Sequence, residues 1–261
     1  MSRIKKLRTV AIHSFRGGTG KTNIIANLAV FLANRGLRVG IIDADIQSPG
    51  MCVLFKLRSN TIKYTLNDYL LGKCSAISDI VYDVSETASI KGKGRLFIVP
   101  ASLTMEDIAE ILRTGYDISR LTDFMDKIID KYELDVIFLD THPGIEQDVL
   151  LSFVVSDILL IVLRMDEQDI LGTGIVIEVA KRLKISKIFL LLSMVPRSYS
   201  LEDVKKEIEK TFNVKVIGVL PFSMDIFADG SREIFYNIRR DSEFCKELEK
   251  IGMKLMKELT R

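Results

Sequence analysis

A glycine-rich segment near the N-terminus carries the first residues whose types and spacing point to chemistry. It reads FRGGTGKT over residues 15–22, between a short apolar run and a helical pattern. A turn of this kind between a strand and a helix lets backbone N–H groups surround phosphate oxygens, and the helix N-terminus adds partial positive charge. Lys21 can then reach the β- and γ-phosphates of a nucleotide, and the Thr22 hydroxyl can bind Mg²⁺. The predicted phosphate-binding residues are Arg16, Gly17, Gly18, Thr19, Gly20, Lys21 and Thr22.

Acidic residues end two other apolar runs. Asp43 ends one of them and Asp45 follows two residues later, while Val136–Asp140 has the form of a Walker B strand. A carboxylate at the end of a strand beside the glycine-rich loop can hold Mg²⁺-bound water. A second carboxylate two residues on can orient or deprotonate the water that attacks a phosphate.

The elements that must position these residues follow from the hydrophobic pattern. Apolar runs of strand length alternate with amphipathic stretches of helix length, and most runs are continuous in Val, Ile and Leu, as in strands covered on both faces. The predicted strands are Thr9–His13, Val39–Asp43, Leu96–Pro100, Val136–Asp140, Ile158–Leu163, Ile188–Ser193 and Val216–Leu220. The predicted helices include Thr22–Arg35, Ser119–Tyr132, Glu167–Leu183, Leu201–Phe212 and Ser242–Leu259.

This alternation predicts an α/β fold with a doubly wound, mostly parallel sheet and helices on both faces. Ligands of such sheets bind beyond the carboxyl ends of the strands. The segment Lys56–Lys93 is the least regular, and we predict an excursion there with a short helix near Leu66–Leu71. No internal repeat or linker composition interrupts the pattern, so residues 1–261 are interpreted as one domain.

The glycine-rich loop departs from the general form G-x-x-x-x-G-K-[ST], because Phe15 occupies the position of the first glycine. It fits the deviant form K-G-G-x-G-K-[ST], with Arg16 in place of the leading lysine. In this the chain resembles the MinD/ParA superfamily of P-loop ATPases, relatives of nitrogenase iron protein and the Mrp-type ATPases. In that family the leading lysine reaches across an ATP-sandwiched dimer to the partner's phosphates. The resemblance therefore implies an ATP-dependent homodimer in which Arg16 takes this role; the alternatives are loss of strict dimer coupling or an ordinary surface arginine.

Two more segments extend the resemblance. The stretch from Asp43 to Gln47 is similar to the family's switch I, D-x-D-x-Q, which implies that Asp43 assists the metal shell and Asp45 polarises the hydrolytic water. Asp140 and the Thr-His-Pro-Gly that follows resemble switch II, which implies that Asp140 binds Mg²⁺ through water and hydrogen-bonds Thr22. His142 is open to two interpretations, a general base or a structural group. His13 is interpreted as a packing residue.

The resemblance also implies that the nucleotide base lies against residues at the ends of the last two predicted strands. Ser193 stands where the family usually has an asparagine that reads adenine, and Pro221 and Phe222 resemble the family's loop against the adenine ring. The guanine-specific motif N/T-K-x-D is absent from the sequence, which favours ATP over GTP. The resemblance implies ATP and Mg²⁺ as cofactors.

Composition limits the classes of function. The chain is 48% hydrophobic and 28% charged, a globular composition, and its net charge of +2 gives no global attraction to nucleic acid or anionic lipid. Cys52, Cys74 and Cys245 are isolated, so neither a disulfide framework nor a zinc site is predicted, and a cytoplasmic location is expected. The basic N-terminus lacks the features of a signal peptide, and the apolar stretch Leu150–Leu163 is too short and too polar to span a bilayer.

The resemblance implies an ATPase that couples hydrolysis to dimerisation and serves spatial positioning in cell division or partitioning. It also implies a protein activator, and it leaves a membrane surface or DNA open as the working surface. In the last segment, Asp241–Arg261, an apolar face of Ile251, Leu255 and Leu259 suits a lipid anchor or a helix docked on the domain, and docking is favoured because the face lacks large aromatic residues. The basic residues Arg232, Arg239 and Arg240 suit either DNA or an ordinary surface. The alternatives are an Mrp-type maturation chaperone, which would need paired cysteines, and a nucleotide-binding scaffold with little turnover.

Overall fold

A computed structural model describes residues 8–46, 49–58 and 60–260, so Gln47 of the predicted switch I and residues 1–7 lie outside the described part. Eight strands form one sheet in the order β3-β4-β2-β5-β1-β6-β7-β8. Every neighbouring pair is parallel except β3 with β4. The strands are β1 (Thr9–His13), β2 (Arg38–Asp43), β3 (Tyr82–Asp83), β4 (Arg95–Val99), β5 (Val136–Asp140), β6 (Ile158–Leu163), β7 (Ile188–Val195) and β8 (Val216–Pro221).

Helices cover both faces of this sheet. Alternate strand residues point to opposite faces, so Val10 and Ile12 join one apolar cluster and Ala11 joins the other. The first cluster includes residues of α1 and α11, and the second includes residues of α5 to α8. The helices are α1 (Lys21–Asn34), α2 (Met51–Leu54), α3 (Leu66–Leu70), α4 (Met105–Thr114), α5 (Ile118–Lys131), α6 (Gln147–Val154), α7 (Glu167–Arg182), α8 (Leu201–Phe212), α9 (Met224–Asp229), α10 (Phe235–Ile238) and α11 (Glu243–Leu259). The predicted doubly wound fold is confirmed.

The predicted strands are all present, but the prediction that one of them ends at Ser193 is wrong by two residues. β7 continues to Val195, and its pairing with β8 shifts register between Leu192 and Val195. Met194 in this irregular stretch has a φ of 57°. An extra residue in a strand bends it and turns a side chain to a new direction, which a pattern of apolar residues does not reveal.

The structure also contains elements that the sequence pattern did not predict. β3 is a two-residue antiparallel edge strand inside the excursion, and α4 and α6 are additional helices. α6 was hidden because it is short and runs into the continuous apolar stretch before β6, where periodicity cannot separate helix from strand. The predicted short helix is present as α3, which begins with a capping box between Thr65 and Asp68.

The C-terminal helix α11 is docked on the sheet. Ile251, Leu255 and Leu259 are all buried, and α11 contacts β8 and α1. Gly218 of β8 leaves the space that Ile251 fills, because a Cβ built on this glycine would lie 2.1 Å from Ile251 Cγ1. Among the described residues, no helix combines the length and apolar composition that crossing a bilayer requires. The apolar face of α11 is therefore used inside the fold.

The docking of α11 predicts a stability difference between two neighbouring positions. Leu255→Ala should lower the free energy of unfolding by about 2–5 kcal/mol, because Leu255 is fully buried and its removal leaves a cavity. Met253→Ala, on the same helix but 38% exposed, should change it by less than about 1 kcal/mol. Urea denaturation of both variants measures the difference. Equal, small effects would show that α11 is not held by this face.

Candidate nucleotide-binding site

The glycine-rich loop joins β1 to α1 and ends in a backbone conformation that only glycine adopts without strain. Gly18 and Gly20 have φ angles of 77° and 84°. Gly20 is the N-cap of α1, so the first N–H groups of this helix have no side-chain cap from their own N-cap residue. These N–H groups and the positive end of the helix dipole are therefore available to an anion.

Lys21 is buried at the base of this loop, with 7% of its surface exposed. Its Nζ donates a hydrogen bond of 2.9 Å to Ser14 Oγ, and Ser14 Oγ donates one of 2.6 Å to the carbonyl of Arg16. Burial lowers the pKa of Lys21, while the charges of Asp140 and Asp45 act in the opposite direction. A phosphate in the loop would place further negative charge beside this ammonium group, whose described hydrogen bond is to the neutral Ser14.

Phe15, at the place of the missing first glycine, packs over Gly172 of α7. A Cβ built on Gly172 would lie 1.9 Å from Phe15 Cδ1. The glycine of the helix therefore makes room for the aromatic ring of the loop. This contact explains how the loop tolerates Phe15, since the bulk added in the loop is matched by bulk absent from α7.

Asp43 and Asp140 are paired across neighbouring strands where β2 and β5 end. Both carboxyl groups are buried, which raises the pKa of each, and their proximity raises the pKa of Asp43 further. Asp43 accepts hydrogen bonds from the backbone N–H groups of Asp45 and Met51, at 3.3 and 3.2 Å. Asp140 Oδ2 accepts the Thr22 hydroxyl at 2.8 Å, the contact that the sequence predicted.

This donor set fits Mg²⁺ bound together with a nucleotide. The Thr22 hydroxyl donates a hydrogen bond to Asp140 and thus presents its lone pairs to a cation, while Asp140 Oδ1 is buried without a hydrogen-bond partner in the described part of the chain. All these donors are oxygen atoms, which Mg²⁺ prefers. Among residues 8–46, 49–58 and 60–260, no group of three His, Cys, Asp or Glu side chains could hold a metal by itself.

A cavity of about 470 Å³ lies over the loop and is lined by five of the predicted phosphate-binding residues, Gly17, Gly18, Gly20, Lys21 and Thr22. Thr19 is buried and does not belong to the described lining. Asp45 lines it, beside Gly50 and the helix α2 that follows switch I, and Pro143 of switch II lines it from another side. His142 does not belong to its described lining; Nδ1 of this buried histidine lies 2.6 Å from the carbonyl oxygen of Pro143. His13 is fully buried against Phe153 and contacts Thr141 Oγ1 at 2.9 Å, as expected of a packing residue.

A second cavity of about 310 Å³ adjoins the first and contains the predicted base-site residues. Ser193, Pro221 and Phe222 line it, and burial is nearly complete at Ser193. The irregular end of β7 brings Met194 to the same wall. Other lining residues were not predicted from the sequence, and they include Asn23, Ile226, Phe227, Gly230, Ser231 and Phe244. The only signal in the sequence was position: Asn23 directly follows the loop lysine and threonine, and the other residues come after β8.

Arg16 lies at the edge of the site, and its side chain forms an ion pair with a residue of its own chain. Its Nη1 is 3.4 Å from Asp166 Oδ1, and both side chains are 42% exposed. Asp166 is the N-cap of α7, where it accepts the N–H of Asp169 at 3.0 Å, and Arg164 pairs with it at 3.2 Å. The described residues that line the phosphate cavity include Gly17 but not Arg16.

A larger cavity of about 800 Å³ lies elsewhere, among α3, α4 and α6. Its lining includes apolar side chains such as Leu70 and Leu151, the acidic Glu110 and Glu146, and the basic Arg120. None of its described lining residues belongs to the glycine-rich loop, so the loop provides no lysine to a phosphate bound there. Size alone therefore does not identify the nucleotide site.

The fold and the loop geometry define the class: this is a P-loop nucleotide-binding protein. A family model described as an AAA domain matches residues 7–190. An uncharacterised ATP-binding protein of Methanocaldococcus jannaschii is 32% identical over 220 residues, covering 81% of this chain and 73% of that protein. The septum site-determining protein MinD of Thermotoga maritima is 26% identical over 260 residues, covering 95% and 88%.

The solved structures agree with the sequence relatives. The septum site-determining protein MinD of Pyrococcus horikoshii, complexed with Mg-ADP, superposes with a TM-score of 0.77 at 20% identity, covering 96% of each chain. The chain belongs to the MinD/ParA family of P-loop ATPases.

The packing of Phe15 on Gly172 predicts an effect on the loop from a residue outside it. Gly172→Ala should weaken ATP binding by about tenfold or more, because the new methyl group displaces Phe15 and with it the adjoining loop. Gly174→Ala is the matched control on the same helix, since its nearest neighbour would be Phe212 Cε1 at 3.6 Å, an ordinary contact. Isothermal titration with Mg-ATP measures both. Equal affinities of the two variants would show that the contact does not support the loop.

Proposed function

We propose that this protein binds Mg-ATP, hydrolyses it, and uses the nucleotide state to control its own dimerisation. The observation that carries the proposal is the buried Lys21 beside the Thr22–Asp140 hydrogen bond, at the carboxyl ends of adjacent strands. A site with this charge arrangement suits a phosphate chain with a divalent cation. The Mg-ADP bound to the MinD of Pyrococcus horikoshii supports the same ligand class here.

Each residue has a distinct part in the proposed reaction. Lys21 leaves Ser14 and contacts the β- and γ-phosphates, while the backbone N–H groups of residues 17–20 surround the phosphate oxygens. Thr22 would hold Mg²⁺ directly, and Asp140 and Asp43 would hold it through water; when bound, the ion neutralises charge on the phosphates. Asp45, which lines the cavity, orients the attacking water and accepts its proton.

Dimerisation is proposed to involve Arg16. Its side chain is 42% exposed and lies outside the described lining of its own phosphate cavity, which supports an action on a second molecule. An exposed ion pair such as Arg16–Asp166 contributes only about 0–1 kcal/mol, so exchanging Asp166 for a phosphate of the partner costs little. A guanidinium group can also bind two phosphate oxygens at once.

The process served by the switch is proposed to be spatial positioning, in cell division or partitioning, with a protein that stimulates hydrolysis. The family relationship supports this role, and the relative named for septum site determination spans 95% of the chain. A cargo-loading chaperone is less well supported, since Cys52, Cys74 and Cys245 are free and buried and so present no exposed thiol pair. The apolar face of α11 is occupied within the fold, so a working surface on membrane or DNA would have to use other residues.

The proposed roles predict that binding and turnover can be separated by substitution. Lys21→Ala should abolish detectable ATP binding, because the phosphates lose their buried counter-charge. Asp45→Ala should bind ATP within about threefold of wild type and slow hydrolysis by about 100-fold or more, since only the activation of water is lost. Titration calorimetry and phosphate release measure the two quantities. Unchanged affinity in Lys21→Ala would refute the P-loop assignment, and full turnover in Asp45→Ala would remove Asp45 from the mechanism.

The proposed role of Arg16 predicts a dimerisation defect that its intramolecular partner does not share. With ATP and the hydrolysis-deficient Asp45→Ala background, Arg16→Ala should remain monomeric while still binding nucleotide. Asp166→Asn is the matched variant: asparagine keeps the helix cap and removes the charge that pairs with Arg16, so this variant should still dimerise. Light scattering distinguishes the two. A dimer that persists in Arg16→Ala, or is lost equally in both variants, contradicts an action of Arg16 on the second molecule.

A further inference from the structure

The phosphate cavity and the base cavity meet at a junction formed by three residues. Gly20, Asn23 and Ser231 line both of them. In a nucleoside triphosphate the ribose connects the base to the phosphates. If the phosphates occupy one cavity and the base the other, the sugar must lie at this junction. Gly20 has no side chain, so the polar side chains available to the sugar there are those of Asn23 and Ser231.

A hydrogen bond joins the side chains of Asn23 and Ser231 and leaves one donor and one acceptor available to a ligand. Asn23, in the first turn of α1, donates its Nδ2–H to Ser231 Oγ at 2.9 Å, across 208 residues of sequence. This contact uses a lone pair of the serine and a hydrogen of the amide. It leaves the Ser231 hydroxyl hydrogen as a donor and Asn23 Oδ1 as an acceptor. One donor beside one acceptor matches two neighbouring hydroxyl groups, each of which can accept or donate.

The backbone at Ser231 supports a functional role for its position. Ser231 has a φ of 62°, directly after Gly230 with a φ of 61°. A left-handed conformation is unfavourable for serine, and such residues persist where the surrounding structure fixes them. Here Asp229 fixes the turn, because its Oδ2 accepts the N–H groups of Arg232 and Glu233, both at 3.1 Å. The turn thus holds the Ser231 hydroxyl at the junction.

We propose that Asn23 and Ser231 recognise the 2′- and 3′-hydroxyl groups of the ribose and make the site selective for ribonucleotides over deoxyribonucleotides. The inference rests on the proposed function, since it takes ATP as the ligand. It identifies two specificity-determining residues that the glycine-rich loop and the switches do not include.

The test compares the dissociation constants of ATP, 2′-deoxy-ATP and 3′-deoxy-ATP, each with Mg²⁺, by titration calorimetry. The wild-type protein should bind at least one deoxy analogue about five- to tenfold more weakly than ATP, the usual effect of one lost hydrogen bond. Asn23→Ala and Ser231→Gly should each weaken ATP and reduce this preference to about twofold or less. Both changes suit the backbone, since alanine favours a helix and glycine accepts a positive φ.

Ser193→Ala is the control, because Ser193 lines the base cavity but is not among the described residues that line the phosphate cavity. It should leave the preference for ATP over the deoxy analogues unchanged. Equal affinity of the wild type for all three nucleotides, or a preference that persists in both Asn23→Ala and Ser231→Gly, would overturn the ribose assignment and leave the proposed function intact. Failure of the wild type to bind any of the three would overturn both.

Discussion

The site depends on three ionisable side chains buried where adjacent strands end. Lys21, Asp43 and Asp140 follow or end β1, β2 and β5, and the sheet order β2-β5-β1 brings them together. Buried charges are costly unless hydrogen-bonded. Ser14, Thr22 and two backbone N–H groups provide those bonds. Within the described part of the chain, Asp140 Oδ1 has no hydrogen-bond partner and Lys21 donates to a neutral one, an arrangement that suits a phosphate with a cation.

Helix α7 supports the loop from the side. Gly172 accommodates the ring of Phe15, and the helix N-cap, Asp166, holds Arg16 at the loop's edge. Phe15 departs from the general P-loop form and Arg16 from the deviant form, and both therefore contact α7 or its N-cap. The loop carries a bulky ring and a positive charge. On α7 a glycine makes room for the ring, and the carboxylate of the N-cap pairs with the charge. The deviant loop and α7 are best regarded as one structural unit.

Much of this could be predicted from the sequence, since continuous apolar runs located the strands and each of the buried acids ends such a run. The hydrogen bond between Thr22 and Asp140 was implied by the resemblance to the family's switch II. The base cavity could not be predicted in the same way. It depends on the register shift near Met194 and on the turn at Ser231, which contacts Asn23 across 208 residues. Local periodicity carries no information about a bulge or about contacts between distant loops.

The proposed switch requires that nucleotide, rather than the Arg16–Asp166 pair, decide when two molecules associate. An ion pair whose side chains are both 42% exposed is screened by water and salt, so it cannot act as a strong lock. A triphosphate in the adjoining cavity concentrates several negative charges near the loop, and a guanidinium group from a second molecule gains from each of them. On this proposal Asp166 keeps Arg16 extended along the edge of the loop while the cavity lacks phosphate. Arginine in place of lysine is then compatible with the switch. Its guanidinium group can bind two phosphate oxygens at once, which compensates for its position at the edge of the loop.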